Sequence, residues 1–252
     1  MQRYFIQLAF NGTKYHGWQI QPNAVTVQEV ITNAVSVLTG EQVEITGAGR
    51  TDTGVHASFY VAHFDLNTET DPDYLCNKLN AFLPDDIVIR KIFPVVSDYH
   101  ARFSAVSRTY RYFLSGARQP FKKEFTAYYP HKLNIELMKE ACPILKEYTD
   151  FTSFSKLHTD VRTNNCIISH ADWFYENDIM VFEISADRFL RNMVRSIVGT
   201  MIDIGRGKTS LQGLKDIIEA KNRSRAGTSV PAKGLFLVDI KYPEEIEKLL
   251  LR

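Results

Sequence analysis

Residues Gly47 to His56 have the sequence GAGRTDTGVH, in which three glycines bracket one arginine and one aspartate. Glycine permits sharp turns of the backbone, so the sequence predicts a tight loop here. The loop is not a dinucleotide-binding fingerprint, because Asp52 stands where the third glycine of GxGxxG belongs. It is not a phosphate-binding P-loop either, since no Lys-Ser or Lys-Thr pair follows. An isolated aspartate in such a loop most often only forms the turn, and this interpretation stays open here.

The elements around the loop give the first half of the chain a simple order. A capping box, Thr26-Val-Gln-Glu29, predicts the start of a helix, and Gly40 predicts its end. A second helix is predicted from Pro72 to about Phe82, because proline suits the first helical position. Hydrophobic alternation predicts four strands, at about 3–10, 43–47, 58–65 and 87–93. The order is therefore strand, helix, two strands, helix, strand.

The second half offers a similar order. Strands are predicted at about 109–115, 165–175, 179–186 and 235–242. Helices are predicted from 134 to about 148, bent or shortened by Pro143, within the apolar run 189–204, and after a cap at Thr209-Ser-Leu-Gln212. This pattern predicts an α+β fold with two related halves, 1–104 and 105–252, that share a mixed, mainly antiparallel sheet with a central cleft.

Composition and cysteine spacing exclude several classes of protein. Hydrophobic residues make up 44% of the chain, which is enough for a substantial core. Three cysteines without a C-x-x-C pair argue against a disulfide framework or a zinc site. No run is long and apolar enough for a membrane span, and the N-terminus lacks the features of a signal peptide. We therefore expect a soluble cytoplasmic protein that binds neither metal nor membrane.

The charges are balanced overall but unevenly distributed. The net charge is +1, which by itself does not indicate nucleic-acid binding. Two stretches without acids carry the bases Arg102, Arg108, Arg111, Arg118, Lys122 and Lys123, and then Lys221, Arg223, Arg225 and Lys233. An acidic set comprises Asp65, Glu69, Asp71, Asp73, Asp85 and Asp86. A basic surface could hold a polyanion, but ordinary solvated faces are the default interpretation.

Several segments together resemble the tRNA pseudouridine synthase A family. The family's hallmark loop GRTDAGVHA corresponds to Gly49–Ala57, with Thr53 in place of the usual alanine. The other matching segments, in chain order, are Tyr15-His-Gly-Trp-Gln19, Phe103–Tyr112, Asp150-Phe-Thr-Ser-Phe154, Met193–Gly199 and Gly234–Pro243. The resemblance spans nearly the whole chain. It departs from the family at Arg191-Asn192, where His-His is usual.

The resemblance implies the pseudouridine synthase fold and an isomerase that converts uridine to pseudouridine in tRNA. The expected targets are positions 38, 39 and/or 40 of the anticodon stem-loop, bound by a homodimer. The reaction involves no net redox change, so no cofactor or metal is expected. Two rival functions are a catalytically silent RNA-binding module and a glycoside hydrolase. The hydrolase would need two acids at the scissile bond, and the loop offers one.

The resemblance also assigns roles to individual residues. Asp52 matches the catalytic aspartate, which either attacks C1′ of the ribose or assists loss of a ribose proton. Arg195 matches the arginine that pairs with this carboxylate; its apolar neighbours also favour burial beside an anion. Tyr110 matches the tyrosine expected to stack on the uracil and to help remove the C5 proton. Without the resemblance, Tyr110 would be interpreted as a half-buried strand residue.

Four further residues are candidates for contact with the RNA. A uridine stacked in a stem must be flipped out to reach a carboxylate. Arg50, next to Asp52 in the loop, is suited to fill the vacated space or to hold phosphates. His56, Lys14 and Tyr15 are weaker candidates for substrate binding. Trp18 is expected to belong to the core instead.

Overall fold

The computed structural model describes residues 1–156 and 163–251, and this part of the chain forms two compact units. Unit 1 comprises Met1–Ser107 together with Leu237–Arg252, and unit 2 comprises Arg108–Phe236. These units are defined by packing alone. The division into related halves at 1–104 and 105–252, with a cleft between them, stays a prediction.

Strands and helices of the described residues have the following bounds. The strands are β1 (Gln2–Phe10), β2 (Thr46–Gly47), β3 (His56–Leu66), β4 (Ile87–Val95), β5 (Ser107–Ser115), β6 (Ala127–Tyr128), β7 (Ile168–Glu176), β8 (Ile179–Ala186) and β9 (Leu235–Lys241). The helices are α1 (Val27–Thr39), α2 (Pro72–Phe82), α3 (Ile135–Lys146), α4 (Met193–Gly205), α5 (Leu211–Glu219) and α6 (Glu244–Glu247).

The sheet of unit 1 is ordered β4-β1-β3-β9, with β2 paired to β3. β1 runs antiparallel to both β3 and β4, so Phe5 lies opposite His63 on one side and Phe93 on the other. Arg3 lies opposite Asp65, and the two form a salt bridge at 2.7 Å. Such directly opposed pairs fix the register of antiparallel strands.

The helices α1 and α2 of unit 1 begin and end where the sequence predicts. The Thr26 hydroxyl accepts a hydrogen bond from the Glu29 amide at 3.3 Å, and Gly40 closes α1 with a left-handed φ of 73°. The Asp71 carboxylate accepts from the Asp73 and Tyr74 amides ahead of α2. These caps satisfy backbone groups that a helix end leaves without partners, so both predicted helices are confirmed.

Unit 2 contains the strand order β5-β8-β7, in which each neighbouring pair is antiparallel. β6 lies beside β5 and is parallel to it. The strands of the chain are therefore mixed and mainly antiparallel, and with the helices they confirm the predicted α+β class. The apolar run that predicted a buried helix forms α4, and most of its residues are buried, including Ile197 and Met201.

Three predicted elements differ from the structure. The strand expected at 43–47 is reduced to β2, because α1 side chains bind the backbone before it: Gln28 donates to the Ile45 carbonyl at 2.6 Å. α5 is capped by Ser210 and not by Thr209, since the Ser210 hydroxyl accepts from the Gly213 amide at 2.9 Å. α3 continues three residues past Pro143 before it ends. The short elements β6 and α6 were not predicted.

Two kinds of feature are absent from the described residues. None of their helices has the length and apolar character needed to cross a membrane. Among the same residues, no group of three or more His, Cys, Asp or Glu side chains could hold a metal ion.

A buried histidine in β3 makes the stability of unit 1 dependent on pH. His63 is only 5% exposed, and its Nδ1 accepts a hydrogen bond from the Ala101 amide at 3.1 Å. Its ring lies 4.6 Å from that of His100. Burial, followed by the charges of His100 and Arg3, lowers the pKa of His63 from 6.5 to about 4, against a smaller opposite effect of Asp65. Protonation thus favours the unfolded chain.

We predict that the free energy of unfolding falls as the pH is lowered from about 6.5 to about 4, by on the order of 2 kcal/mol. The sign follows because the unfolded state binds the proton first in this range. Urea unfolding at several pH values measures the effect. His63→Asn keeps an acceptor near Nδ1 but cannot titrate, so its loss of stability over this range should be smaller. Equal pH dependence in both proteins would contradict the assignment to His63.

Candidate active site

Asp52 opens a tight turn in the loop between β2 and β3. The Val55 amide donates to the Asp52 carbonyl at 3.1 Å, which closes a four-residue turn. Gly54, the third residue of that turn, has a φ of +76°, as a type II turn requires. Asp52 is half-buried in this loop, whereas Thr53 is exposed. The turn therefore explains why glycine follows the Asp-Thr pair.

A second segment, residues 15–19, packs against the loop. Gly17 approaches it so closely that an added Cβ would lie 2.3 Å from the Thr51 carbonyl oxygen. The Gly54 amide donates to the Tyr15 carbonyl at 3.2 Å. Trp18 is buried, with its ring 4.2 Å from that of Tyr60, and this confirms the prediction that Trp18 belongs to the core. The loop is thus held mainly by backbone contacts.

Tyr60 anchors the start of the loop. Its hydroxyl donates a short hydrogen bond to the Gly49 carbonyl. The Gly49 amide in turn donates to the Tyr60 hydroxyl oxygen at 3.4 Å. Arg50, the next residue, is exposed. The chain therefore leaves the core at Gly49 and presents Arg50 and Asp52 in succession.

Two of the predicted substrate contacts lie inside unit 1. His56 is fully buried, and its Nδ1 accepts a hydrogen bond from the Gly12 amide at 3.0 Å. Tyr15 is 5% exposed, and its hydroxyl donates to Asp86 at 2.5 Å. Burial and the bond to Asp86 raise the pKa of Tyr15 above its usual range. In this arrangement both side chains pack within unit 1, and contact of either with the substrate stays a prediction.

Lys14 and Arg50 are the two candidates that lie on the surface. The Lys14 ammonium group is 3.0 Å from a carboxylate oxygen of Asp86, and its side chain is largely exposed. Asp86 therefore binds both Lys14 and Tyr15, a role that the sequence did not suggest beyond its place in the acidic set. Contact of Lys14 or Arg50 with RNA stays a prediction.

In unit 2, Arg195 lies in the first turn of α4 and is half-buried. Its Nε donates to the Val230 carbonyl at 2.8 Å, and the Val230 amide donates back to the Arg195 carbonyl at 3.2 Å. This reciprocal pair fixes the plane of the guanidinium group. A cation in the first turn of a helix is not favoured by the helix dipole, so the position needs another reason.

Tyr110 lies in β5 and shares one face of that strand with Tyr112. Tyr112, two residues along the same face, is fully buried and donates its hydroxyl to the Pro231 carbonyl at 2.9 Å. Burial raises the pKa of Tyr112, and the positive charge of Arg195 partly offsets this. Tyr110 itself is half-buried, and Phe189 meets its ring edge-on at 5.2 Å. Unit 2 therefore places Tyr112 near Arg195, and a common site for Tyr110 and Arg195 stays a prediction.

Comparison with known proteins identifies the family. The model of the tRNA pseudouridine synthase family matches residues 7–104 and 148–243. The chain belongs to the tRNA pseudouridine synthase family. One matched segment of this synthase family lies within residues 1–104 and the other within residues 105–252.

Curated relatives align with this synthase-family chain over nearly their full length. Proteins named tRNA pseudouridine synthase A are 56% identical in Parabacteroides distasonis and 53% identical in Bacteroides thetaiotaomicron. Each alignment covers 98% of this chain, and 98% and 93% of the respective relative. A third relative of that name, from Bacteroides fragilis, is 52% identical, with 98% of both chains covered.

The close approach at Gly17 gives a testable prediction. In Gly17→Ala, the new Cβ must displace the Thr51 carbonyl, and φ of +86° is strained for alanine. We expect a loss of roughly 1–3 kcal/mol from crowding, in addition to about 1 kcal/mol for the left-handed backbone. The Gly54 amide should also exchange with solvent faster. Urea unfolding and hydrogen exchange measure the two effects.

Gly40→Ala is the matched control, because Gly40 also has a left-handed φ, of +73°, but no atom lies within 4 Å of its added Cβ. It should cost only about 1 kcal/mol and leave exchange of the Gly54 amide unchanged. Equal losses in the two variants would show that crowding against the loop contributes nothing.

Proposed function

We propose that this protein isomerises uridine to pseudouridine in tRNA, with Asp52 as the catalytic carboxylate. The observation that carries the proposal is the backbone-held turn that presents Asp52 within the family's matched segment. A rigid loop suits this chemistry, because a misplaced catalytic group loses rate steeply. The names of the relatives support tRNA as the substrate.

The reaction breaks the bond between N1 of uracil and C1′ of the ribose, turns the base, and joins C5 to C1′. Asp52 either attacks C1′ to form a covalent intermediate or assists loss of a ribose proton. In both routes the proton lost from C5 ends on a nitrogen of the product, so the atoms balance without a redox partner. We therefore propose that the enzyme needs no cofactor or metal.

Arg195 is proposed as the countercharge of Asp52. A carboxylate in a site that excludes water is disfavoured unless a cation compensates. The Arg195 guanidinium is oriented by the Val230 carbonyl at 2.8 Å, which suits a fixed partner for a planar carboxylate. This role also accounts for a cation in the unfavourable first turn of α4.

Tyr110 is proposed to stack on the flipped uracil and to help remove the C5 proton. Its ring is braced edge-on by Phe189 and is not fully buried, which suits stacking against an incoming base. Arg50 is exposed beside Asp52, and we propose that it fills the space left by the flipped nucleotide or holds a phosphate.

Finer parts of the proposal concern the target and the assembly. We propose that the uridines lie at positions 38, 39 and/or 40 of the anticodon stem-loop, and that a homodimer binds the tRNA in the cytoplasm. The support is the family membership together with the full-length match to the relatives. Mapping pseudouridine in tRNA incubated with the purified protein tests the target positions directly.

We predict that Asp52→Asn abolishes pseudouridine formation and leaves tRNA affinity within a few-fold. Asparagine keeps the size of the side chain but cannot act as a nucleophile or base, whereas most RNA affinity comes from phosphate contacts. Single-turnover assays and a binding titration measure the two quantities. Mass spectrometry must first exclude deamidation of the variant. Measurable turnover by intact Asp52→Asn would remove Asp52 from the mechanism.

A second prediction concerns Arg195→Met, which keeps much of the side-chain volume but removes the charge. We expect the single-turnover rate near pH 7 to fall on the order of a hundredfold. Arg195→Lys keeps a cation and should retain more activity, although the planar geometry is lost. A wild-type single-turnover rate in Arg195→Met would show that another residue compensates the charge of Asp52.

A further inference from the structure

Asn192, just before α4, has a left-handed backbone conformation, and its side chain binds Ser229. Its φ is +65°, in the left-handed region that asparagine tolerates better than most residues. It occupies the N-cap position, but its side chain does not cap the helix. Instead, Nδ2 donates to the Ser229 hydroxyl at 2.6 Å. The residue that departs from the family's usual His-His therefore has a defined contact.

Ser229 receives a second hydrogen bond from another side chain. Nη2 of Arg223 donates to the Ser229 hydroxyl at 2.9 Å, and Nη1 of Arg223 lies 3.2 Å from the Gly227 carbonyl. A hydroxyl oxygen has two acceptor lone pairs, so it can accept from both Asn192 and Arg223. The position of Ser229 is thus defined from two sides.

The next residue, Val230, is the one that orients Arg195. Its carbonyl accepts from Arg195 Nε at 2.8 Å, and its amide donates to the Arg195 carbonyl. Ser229 and Val230 are joined by a rigid peptide unit, so a shift of Ser229 moves the Val230 backbone. The Val230 amide belongs to this peptide unit, and the Val230 carbonyl follows one Cα later, so the hydrogen bonds to Ser229 act on Arg195 through the Val230 backbone.

The chain around Ser229 also lies directly against α4. An added Cβ on Gly199 would lie 1.9 Å from the Thr228 carbonyl oxygen, and the Gly227 amide donates to the Thr200 hydroxyl at 2.9 Å. These contacts fix residues 227–228 one turn beyond Arg195. They do not involve Val230 itself, whose neighbour Ser229 is held by Asn192 at the start of the helix.

We propose that Asn192, Ser229 and Arg223 are positioning residues that set the guanidinium of Arg195 through the Val230 backbone. The inference rests on the proposed function, in which Arg195 is the countercharge of the catalytic carboxylate. Asn192 combines two properties here: it adopts the left-handed backbone, and it supplies the amide donor for Ser229.

The first experiment removes the side chain and keeps the backbone. Glycine adopts the left-handed region freely, so Asn192→Gly should delete only the bond to Ser229. We expect kcat to fall about tenfold, with KM within about threefold, because orientation and not tRNA binding is lost. Asn177→Gly is the matched control, since Asn177 is an exposed left-handed asparagine, with φ +48°, in the turn between β7 and β8. Both variants should show the same change in Tm.

The second experiment tests Ser229 and its coupling to Asn192. Ser229→Ala should lower kcat by a similar factor, and the double variant with Asn192→Gly should be little worse than either single variant. Ser229→Thr keeps the hydroxyl and should retain most of the activity. Independent, multiplicative losses would overturn the proposal, as would a Thr variant as slow as the Ala variant. A large fall in Tm beyond that of Asn177→Gly, with KM also impaired, would indicate a merely structural role and overturn it too.

A readout that does not use catalysis separates this proposal from the proposed function. The ¹⁵N resonance of Arg195 Nε–H, assigned by its absence in Arg195→Lys, reports the bond to the Val230 carbonyl. Its exchange with solvent should quicken in Asn192→Gly and Ser229→Ala but not in Asn177→Gly. Unchanged exchange in active protein would overturn the positioning role alone. The expected exchange pattern in a protein that forms no pseudouridine would refute the proposed function and leave the positioning of Arg195 standing.

Discussion

The Thr51 carbonyl packs so tightly against Gly17 that no side chain fits between the two backbones. This contact constrains everything that follows in the loop. With Thr51 held in this way, the turn from Asp52 to Val55 begins at a defined position. A loop held through side chains would keep the freedom of their rotamers, whereas two touching backbones have little freedom left. The glycine-rich sequence of the loop therefore gives rigidity and not flexibility.

Unit 2 uses the same kind of constraint around Arg195. Gly199 lets the Thr228 carbonyl approach the backbone of α4, so residues 227–230 follow the helix closely. Val230 can then exchange hydrogen bonds with both the backbone and the side chain of Arg195. The left-handed backbone at Asn192 is consistent with strain concentrated where geometry matters for function. In both units, the backbone near a candidate catalytic side chain is held by a close contact at a glycine. A methyl group at that glycine would prevent the contact.

The sequence predicted what depends on local patterns and missed what depends on tertiary contacts. Caps and hydrophobic periods located α1, α2 and α4, because these signals lie within a few neighbouring residues. The glycines of the motif predicted the tight turn at Asp52 for the same reason. His56 and Tyr15 belong to the same motifs, yet their burial depends on Gly12 and Asp86, which lie far away in the chain. A motif shows that a residue matters to the loop, but it does not distinguish a residue that faces the substrate from one that supports it.

The acid-free stretch between Tyr99 and Lys123 shows why charge in the sequence is a poor guide to charge on the surface. Arg111 donates to Glu183 at 2.6 Å across neighbouring strands, and Arg108 donates to the Asp187 carbonyl at 2.7 Å. Both arginines therefore bind groups within unit 2. Their partners are 72 and 79 residues away in the sequence. Lys122 and Lys123 differ, because they are exposed beside Phe121, whose side chain is 97% exposed. A phosphate backbone can be met only by cations that the fold leaves at the surface. The exposed bases of the stretch, Arg102, Arg118, Lys122 and Lys123, therefore retain the interpretation as a polyanion-binding face.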